Sequence, residues 1–293
     1  MARYGLPYQG SKSRIAEWVV NLLPPSHTLV DLFAGGGAIT HCALLSGKWE
    51  RIIANDMTDS MVVFCAAING EFDGYAACPS REEWLEYRDT DTALALLHSF
   101  GNDKTTYLWS EELEAVKRPA SLMVSSASLW ERYQWYHRFI DALKQYLKEH
   151  SVEQHRIHEL QNTEGVERLV QLERVSRLQG LQGLQGLQGD YRLVAIPDGA
   201  TVYADPPYQG TPNGSRYGAF DFDAFDAWLN GVDFPVFVSE YDAPRGCVEI
   251  ACKSHTSSMP ANCNTKTVER IFVQERFYEQ CKPLTLFDMN EVE

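Results

Sequence analysis

Apolar positions cluster in short solid blocks toward both ends of the chain and spread into a helical stripe through its middle. Thr28-Leu-Val-Asp-Leu-Phe33 predicts a strand that stops at Ala34-Gly-Gly-Gly37, and Ala38 to Ser46 then reads as a helix. Arg51-Ile-Ile-Ala-Asn-Asp56 repeats the strand pattern, ends on a carboxylate and leads into helical Met57 to Asn69. Strand, turn, helix and strand make a βαβ unit, hence a parallel sheet with helices packed on it. From about Gly70 the blocks disappear. Leu129, Tyr133, Tyr136, Ile140, Leu143 and Leu147 recur at spacings of three and four, one helix face, which assigns Tyr133 and Tyr136 to packing. Strands are expected again at Tyr191 to Ile196, Ala200 to Ala204, Phe234 to Ser239, Cys247 to Ala251 and Val268 to Val273. The pattern as a whole predicts an α/β domain interrupted by a helical insertion.

One stretch has a different period. Val166, Leu169, Leu172, Val175, Leu178, Leu181, Leu184 and Leu187 are apolar at every third position, ending in four copies of Leu-Gln-Gly before Asp190. An α-helix turns about 300° in three residues, so the stripe slips by ~60° per step. A strand sends successive leucines to opposite faces. Collagen is excluded because the tract has no proline. A bent solenoid-like ribbon, or a distorted helix giving way to extended chain, are the two forms left. The tract reads as a tolerated expansion in a connector over residues 166–189; the sharper alternative is that triplets gained or lost shift the helical lobe relative to the sheet and change what it selects.

Composition narrows the class. With 293 residues, 44% hydrophobic and 12% aromatic, the chain can bury a core. No apolar run nears the roughly 18 residues of a bilayer span, and the start MARYGLPYQGSK lacks a signal-peptide core, so no membrane partner and a cytoplasmic location are expected. Seven scattered cysteines form no C-x-x-C pair and the eight histidines no ligand spacing, so neither disulfides nor a metal are expected. A net charge of −14 argues against indiscriminate binding of polyanions, but the acidity is uneven. Residues 1–30 hold Arg3, Lys12 and Arg14 against Glu17, and residues 130–193 balance nine basic with nine acidic side chains. Two regions are therefore left that suit a nucleic acid.

The candidate chemistry lies at strand ends. Asp31-Leu-Phe-Ala-Gly-Gly-Gly37 lets backbone approach a ligand closely where parallel sheets bind cofactors. It is not a phosphate loop of the G-x-x-x-x-G-K-[ST] kind, while a dinucleotide fold stays open. Asp56, about 20 residues on, suits ribose hydroxyls, the alternative being a cap for the next helix. Asp205-Pro-Pro-Tyr208 follows an apolar strand. Its prolines cannot donate to a ladder, so they fix a rigid exit that brings together a carboxylate, a carbonyl and an aromatic ring. That set suits a planar base bearing an amino group, with Asp205 and the Pro206 carbonyl accepting from the amine and Tyr208 stacking on the ring.

In their order and spacing these motifs resemble the Dam-type, or α-group, DNA adenine-N6 methyltransferases, particularly phage and prophage members. The resemblance implies a Rossmann-like sheet dependent on S-adenosylmethionine, with a mainly helical target-recognition lobe inserted. Its domains would be residues 1–70 and 190–293 for catalysis, 71–165 for recognition and 166–189 for the connector. Pro7-Tyr-Gln-Gly-Ser-Lys-Ser-Arg14 looks like the motif that holds the cofactor through Tyr8 and Lys12. Asp31, Phe33, Gly35 and Gly37 match the glycine-rich cofactor motif, Asp56 the ribose acid, and Gly189-Asp190-Tyr191 the strand end whose acid approaches the cofactor adenine. Asp205, itself also beside the cofactor, Pro206, Pro207 and Tyr208 match the catalytic motif. Looser matches follow at Thr211, Tyr217 to Phe222, Phe225, Trp228 and Ser239 to Pro244.

The substrate implied is double-stranded DNA, and the enzyme a monomer acting beside a cognate restriction endonuclease or alone. Candidate DNA contacts are Asn102 and Lys104 in the polar loop Ser99 to Tyr107, with Arg132 and Arg138 among aromatics. The nearest alternative is cytosine-N4 methylation, which needs the same amine chemistry and which Asp-Pro-Pro-Tyr by itself does not exclude. In another class, a non-catalytic DNA-binding protein would keep the same scaffold.

Overall fold

The computed structural model describes residues 4–69, 71, 78–150, 174–175, 177–180, 182–209, 220–256 and 266–281. They form two compact units. One comprises residues 15–35, 39–61 and 181–293, the other 1–14, 36–38 and 62–180.

The first unit is built on a seven-stranded sheet: β1 (Thr28–Asp31), β2 (Arg51–Asp56), β3 (Leu184–Gln188), β4 (Thr201–Ala204), β5 (Val236–Glu240), β6 (Cys247–Thr256) and β7 (Lys266–Gln274). The spatial order is β3-β2-β1-β4-β5-β7-β6. The first five run parallel, and β7 is antiparallel to both β5 and β6. Strands β1, β4 and β5 are buried along their whole length, which is why they read as unbroken apolar blocks rather than alternating ones. Helix α1 (Ala16–Leu22), not anticipated from the sequence, precedes β1; α2 (Ala38–Ser46) after β1 and α3 (Ser60–Ile68) after β2 follow the expected βα pattern, α3 from Val62 onward counting with the second unit. Val30, Leu32, Ile53, Val202, Ala204, Val236 and Val238 form the core with Tyr191, Phe225 and Leu229.

The strand expected over Tyr191 to Ile196 does not exist. Asp190 caps a single 3-10 turn, Tyr191–Leu193, by accepting from the Arg192 amide, and this diverts the chain from the sheet. The place is taken by the repeat, whose last copies pair with β2 from Ile52↔Leu184 to Asp56↔Gln188. Upstream, Arg174 and Val175 are helical and Arg177 to Gly180 form a turn, so the described part fits the distorted helix giving way to extended chain. Leu184 and Leu187 point to opposite faces and are half-buried, while Gln185, Gly186 and Gln188 are exposed. Gly183, at φ +98°, leads into the strand so tightly that an added Cβ would lie 2.2 Å from the Glu50 carbonyl oxygen. Residues 166–173, 176 and 181 of the tract lie outside the described residues.

The second unit is helical: α4 (Arg81–Tyr87), α5 (Thr92–Leu97), α6 (Glu111–Ser125) and α7 (Leu129–Glu149). Side chains cap each of them. Ser80 and Glu83 form a capping box, and Asp91, Ser110 and Ser128 accept from the first turns of the other three. Its core is Cys78, Trp84, Leu94, Tyr107, Leu108 and Trp109. Helix α7 packs along α6 through half-buried Ile140, Leu143 and Leu147, but Leu129, Tyr133 and Tyr136 stand 81%, 56% and 48% exposed. The assignment of both tyrosines to packing is therefore overturned: the N-terminal half of the apolar stripe is a surface ridge. Residues 1–14, expected to belong with the sheet, are part of this unit. Among the described residues no helix is long and apolar enough to cross a membrane.

Candidate active site

Three strands bring their carboxyl ends together. Asp31 closes β1, is 1% exposed, and accepts from Thr40 Oγ1 at 2.8 Å. Its other oxygen is buried with no hydrogen-bond partner among the described residues. Burial pushes its carboxyl up to about 7; the Thr40 bond opposes this, while the charges of Asp205 and Asp56 add to it. The Leu32 amide donates to the Tyr203 carbonyl at 2.9 Å, which sets the end of β1 beside the exit of β4.

Glycine gives the turn after β1 its shape. Gly35 and Gly37 sit at φ +52° and +73°, a region that side chains rarely enter. Asp56 secures this turn: Oδ2 accepts from Gly35 N at 2.8 Å, and Oδ1 from Thr58 N and Thr58 Oγ1 at 2.9 and 2.7 Å. The carboxylate expected to meet ribose is thus 2% exposed and already bridges the turn to the approach of α3. Asn55 completes the arrangement by donating to Leu32 O and Gly189 O, at 3.1 and 3.0 Å. Sequence reasoning missed it, although a polar residue among β2's apolar ones was the available signal. Phe33 lies 5.0 Å from the Tyr191 ring and 5.9 Å from both Phe220 and Phe225. Next to them, the Arg192 guanidinium grips both oxygens of Asp190 and holds its carboxyl below the usual range.

Asp205 leaves β4 half-buried, followed by buried Pro206, half-buried Pro207 and buried Tyr208. The expected stacking face is not open here. Tyr208 is 8% exposed, packs edge-on against Tyr241 with centroids 4.6 Å apart, and donates its hydroxyl to Glu269. Burial, followed by the charges of Asp205 and Glu269, pushes the phenol well above its ordinary value. Glu240 fixes the other side, accepting from the Gln209 and Tyr241 amides at 3.2 and 2.8 Å. Glu269 was not singled out in the sequence because it lies 61 positions from Tyr208, on a strand whose pairing no local pattern announces.

In the helical unit, Leu6 N donates to Gly36 O at 2.7 Å, and Tyr8 presses its Cβ to within 2.4 Å of where a Cβ on Gly36 would be. Tyr8 itself is half-buried, as is Lys12 in the 3-10 turn Lys12–Arg14.

The model of the D12 class N6 adenine-specific DNA methyltransferase family matches residues 8–228. The chain belongs to that family. The match runs from Tyr8 through the glycine turn, the helical unit and Asp205 to Trp228. This D12 methyltransferase is an enzyme that methylates the N6 amine of adenine in DNA, and neither cytosine-N4 transfer nor a non-catalytic scaffold is favoured. Its sheet is that of a Rossmann-like methyltransferase. No curated protein matches the chain.

Of the residues expected to touch the D12 substrate, one is ruled out by its surroundings. Asn102 is 3% exposed and spends its whole side-chain amide inside the protein, so it has nothing left for DNA. Lys104 is exposed. Arg132 and Arg138 are exposed too, the first donating to Ser126 O at 2.6 Å and the second lying 4.7 Å over the Trp135 ring.

Proposed function

We propose that the methyl donor is S-adenosylmethionine and that the adenine is presented to Asp205 and Pro206 out of the duplex. The carrying observation is the set of carboxylates at adjoining strand ends: buried Asp31 closes β1, Asp56 closes β2 and holds the glycine turn, and Asp205 follows β4. A buried carboxylate oxygen at Asp31 that has no hydrogen-bond partner among the described residues, beside a turn shaped by two left-handed glycines, fits a cationic amino-acid moiety. Asp56 has used about three of its roughly four acceptor positions and keeps one for a ribose hydroxyl. Phe33, Gly35, Gly37 and Asp190 complete that side, with Tyr8 and Lys12 as further contacts. When bound, the cofactor supplies an electrophilic methyl group on a sulfonium.

The adenine amine is a poor nucleophile because its lone pair is delocalised into the ring. Hydrogen bonds to the Asp205 carboxylate and the Pro206 carbonyl draw the nitrogen toward tetrahedral geometry, and they tighten as positive charge develops there. No covalent intermediate with the protein is required. Tyr208, held by Glu269, supports this exit as a buried post; stacking on the base requires the ring to be exposed first.

Lys104, Arg132 and Arg138 are assigned to DNA phosphates, with exposed Trp130, Tyr133 and Tyr136 beside the two arginines. A monomer from a phage-type lineage, alone or beside a restriction endonuclease, is the form we favour. Incubation with tritiated S-adenosylmethionine and duplex DNA, followed by digestion to nucleosides and mass identification, tests the whole reading. The expected product is N6-methyl-2′-deoxyadenosine, and its absence overturns the assignment.

A further inference from the structure

Asn102 combines a conformation and a bonding pattern that a surface loop does not need. Its backbone is left-handed, at φ +57°, next to Gly101 at +59°. Its side chain is buried and reaches back across the chain to the N-terminal segment. Nδ2 donates to Pro7 O at 2.8 Å and to Leu96 O at 3.0 Å, while Oδ1 accepts from Gln9 N at 3.0 Å. Two of these bonds take hold of the residues on either side of Tyr8.

The neighbourhood makes the grip stiff. Phe100 N to Thr106 O closes the loop at 2.8 Å, Lys104 N donates to Ser99 Oγ at 3.0 Å, and Asp103 accepts from the Thr105 and Thr106 amides. Gly101 passes so close to Gln9 that a Cβ there would lie 2.7 Å from the Gln9 side-chain oxygen. On the Tyr8 side, Leu6 is tied to Gly36 and the ring base rests against Gly36 itself. Tyr8 is therefore bracketed at the preceding carbonyl, the following amide and its own Cβ.

We propose that Asn102 is a positioning residue for cofactor binding, acting through Tyr8. This rests on the assignment of Tyr8 to S-adenosylmethionine given above. The amide is the side chain suited to the task, since it offers two donors and an acceptor within one short group and tolerates left-handed backbone. Aspartate in the same place turns an oxygen toward the Pro7 and Leu96 carbonyls and loses both donations.

Asn102→Gly tests this, because glycine accepts the left-handed backbone and deletes only the side-chain bonds. We expect the KM and the Kd for S-adenosylmethionine to rise about tenfold, the size of one to two ordinary hydrogen bonds, with kcat at saturation within about twofold of wild type. Asn102→Asp should do the same, and DNA affinity should stay unchanged in both. Tyr8→Ala alone should weaken cofactor binding at least as much, and adding Asn102→Gly to it should change little more. Full additivity, an effect on kcat without KM, or parallel loss of DNA binding in both Asn102 variants overturns the inference, as does an effect of Tyr8→Ala without one of Asn102→Gly. Normal cofactor binding by Tyr8→Ala overturns the assignment of Tyr8, and the inference with it.

Discussion

The hydroxyl of Tyr208, at the exit of β4, is donated to the buried carboxylate of Glu269 on β7, two strands away across the sheet. Replacing Glu269 by alanine leaves that hydroxyl buried without its acceptor, at a cost of about 1–3 kcal/mol, and loosens the Asp-Pro-Pro-Tyr exit. We expect turnover to fall about tenfold or more with cofactor affinity unchanged, and Glu269→Gln, whose amide oxygen still accepts, to recover most of it. Steady-state kinetics on duplex DNA decide; wild-type kcat for Glu269→Ala refutes the link.

Asp205→Ala is expected to abolish methyl transfer while binding of S-adenosylmethionine largely survives, since Asp31, Phe33 and the glycine turn stay in place. Isothermal titration beside a tritium-transfer assay separates the two. Near-normal turnover by the variant refutes the role given to Asp205.

Asp31 predicts a pH slope in stability. Its folded-state value, about 7, lies above its ordinary 3.8. Between those values the folded protein keeps a proton that the unfolded chain has released, so stability falls as pH rises through the window. The favourable contribution is complete below the lower value and lost above the upper one. Asp31→Asn removes the charge to be buried. Calorimetry should show the variant melting above wild type at about pH 8, by roughly 2–4 °C per kcal/mol regained, with the difference closing by about pH 4. An unchanged difference across that range contradicts the burial of an ionisable carboxyl there.

The repeat yields a prediction about length. Inserting one further Leu-Gln-Gly leaves the sequence counted back from Asp190 identical across β3 and Gly183, so pairing with β2 is preserved and the extra residues are taken up upstream. We expect an unchanged rate and methylated sequence. A single glutamine inserted after Gly186 instead places leucine at the point where Gly183 meets Glu50, at a cost on the order of 1–3 kcal/mol. Thermal melts and sequencing of methylated DNA check both, and a changed target after triplet insertion would restore the view of the tract as a spacer.

How much of this was legible depended on how local each signal was. The βαβ start, Asp31, Asp56 and the Asp-Pro-Pro-Tyr exit are contiguous patterns, because fully buried parallel strands and glycine turns write themselves as apolar blocks and punctuation. β3 was illegible for the opposite reason: an exposed edge strand needs no apolar alternation, and Leu-Gln-Gly has none. Tyr133 and Tyr136 have the right period for packing, yet periodicity does not say whether a partner lies opposite. Asn102 and Glu269 act on residues far away in the chain, at Pro7, Gln9 and Tyr208, and no window of sequence contains both ends of such bonds.

The triplet repeat that edges the sheet also has a genetic meaning. If the codons repeat as the residues do, replication slippage adds or removes whole copies, and the copies next to Asp190 supply the same strand and the same entering glycine. Gains of whole copies are the length changes that keep this strand and its entering glycine, whereas a single-residue insertion within the strand puts leucine where Gly183 meets Glu50.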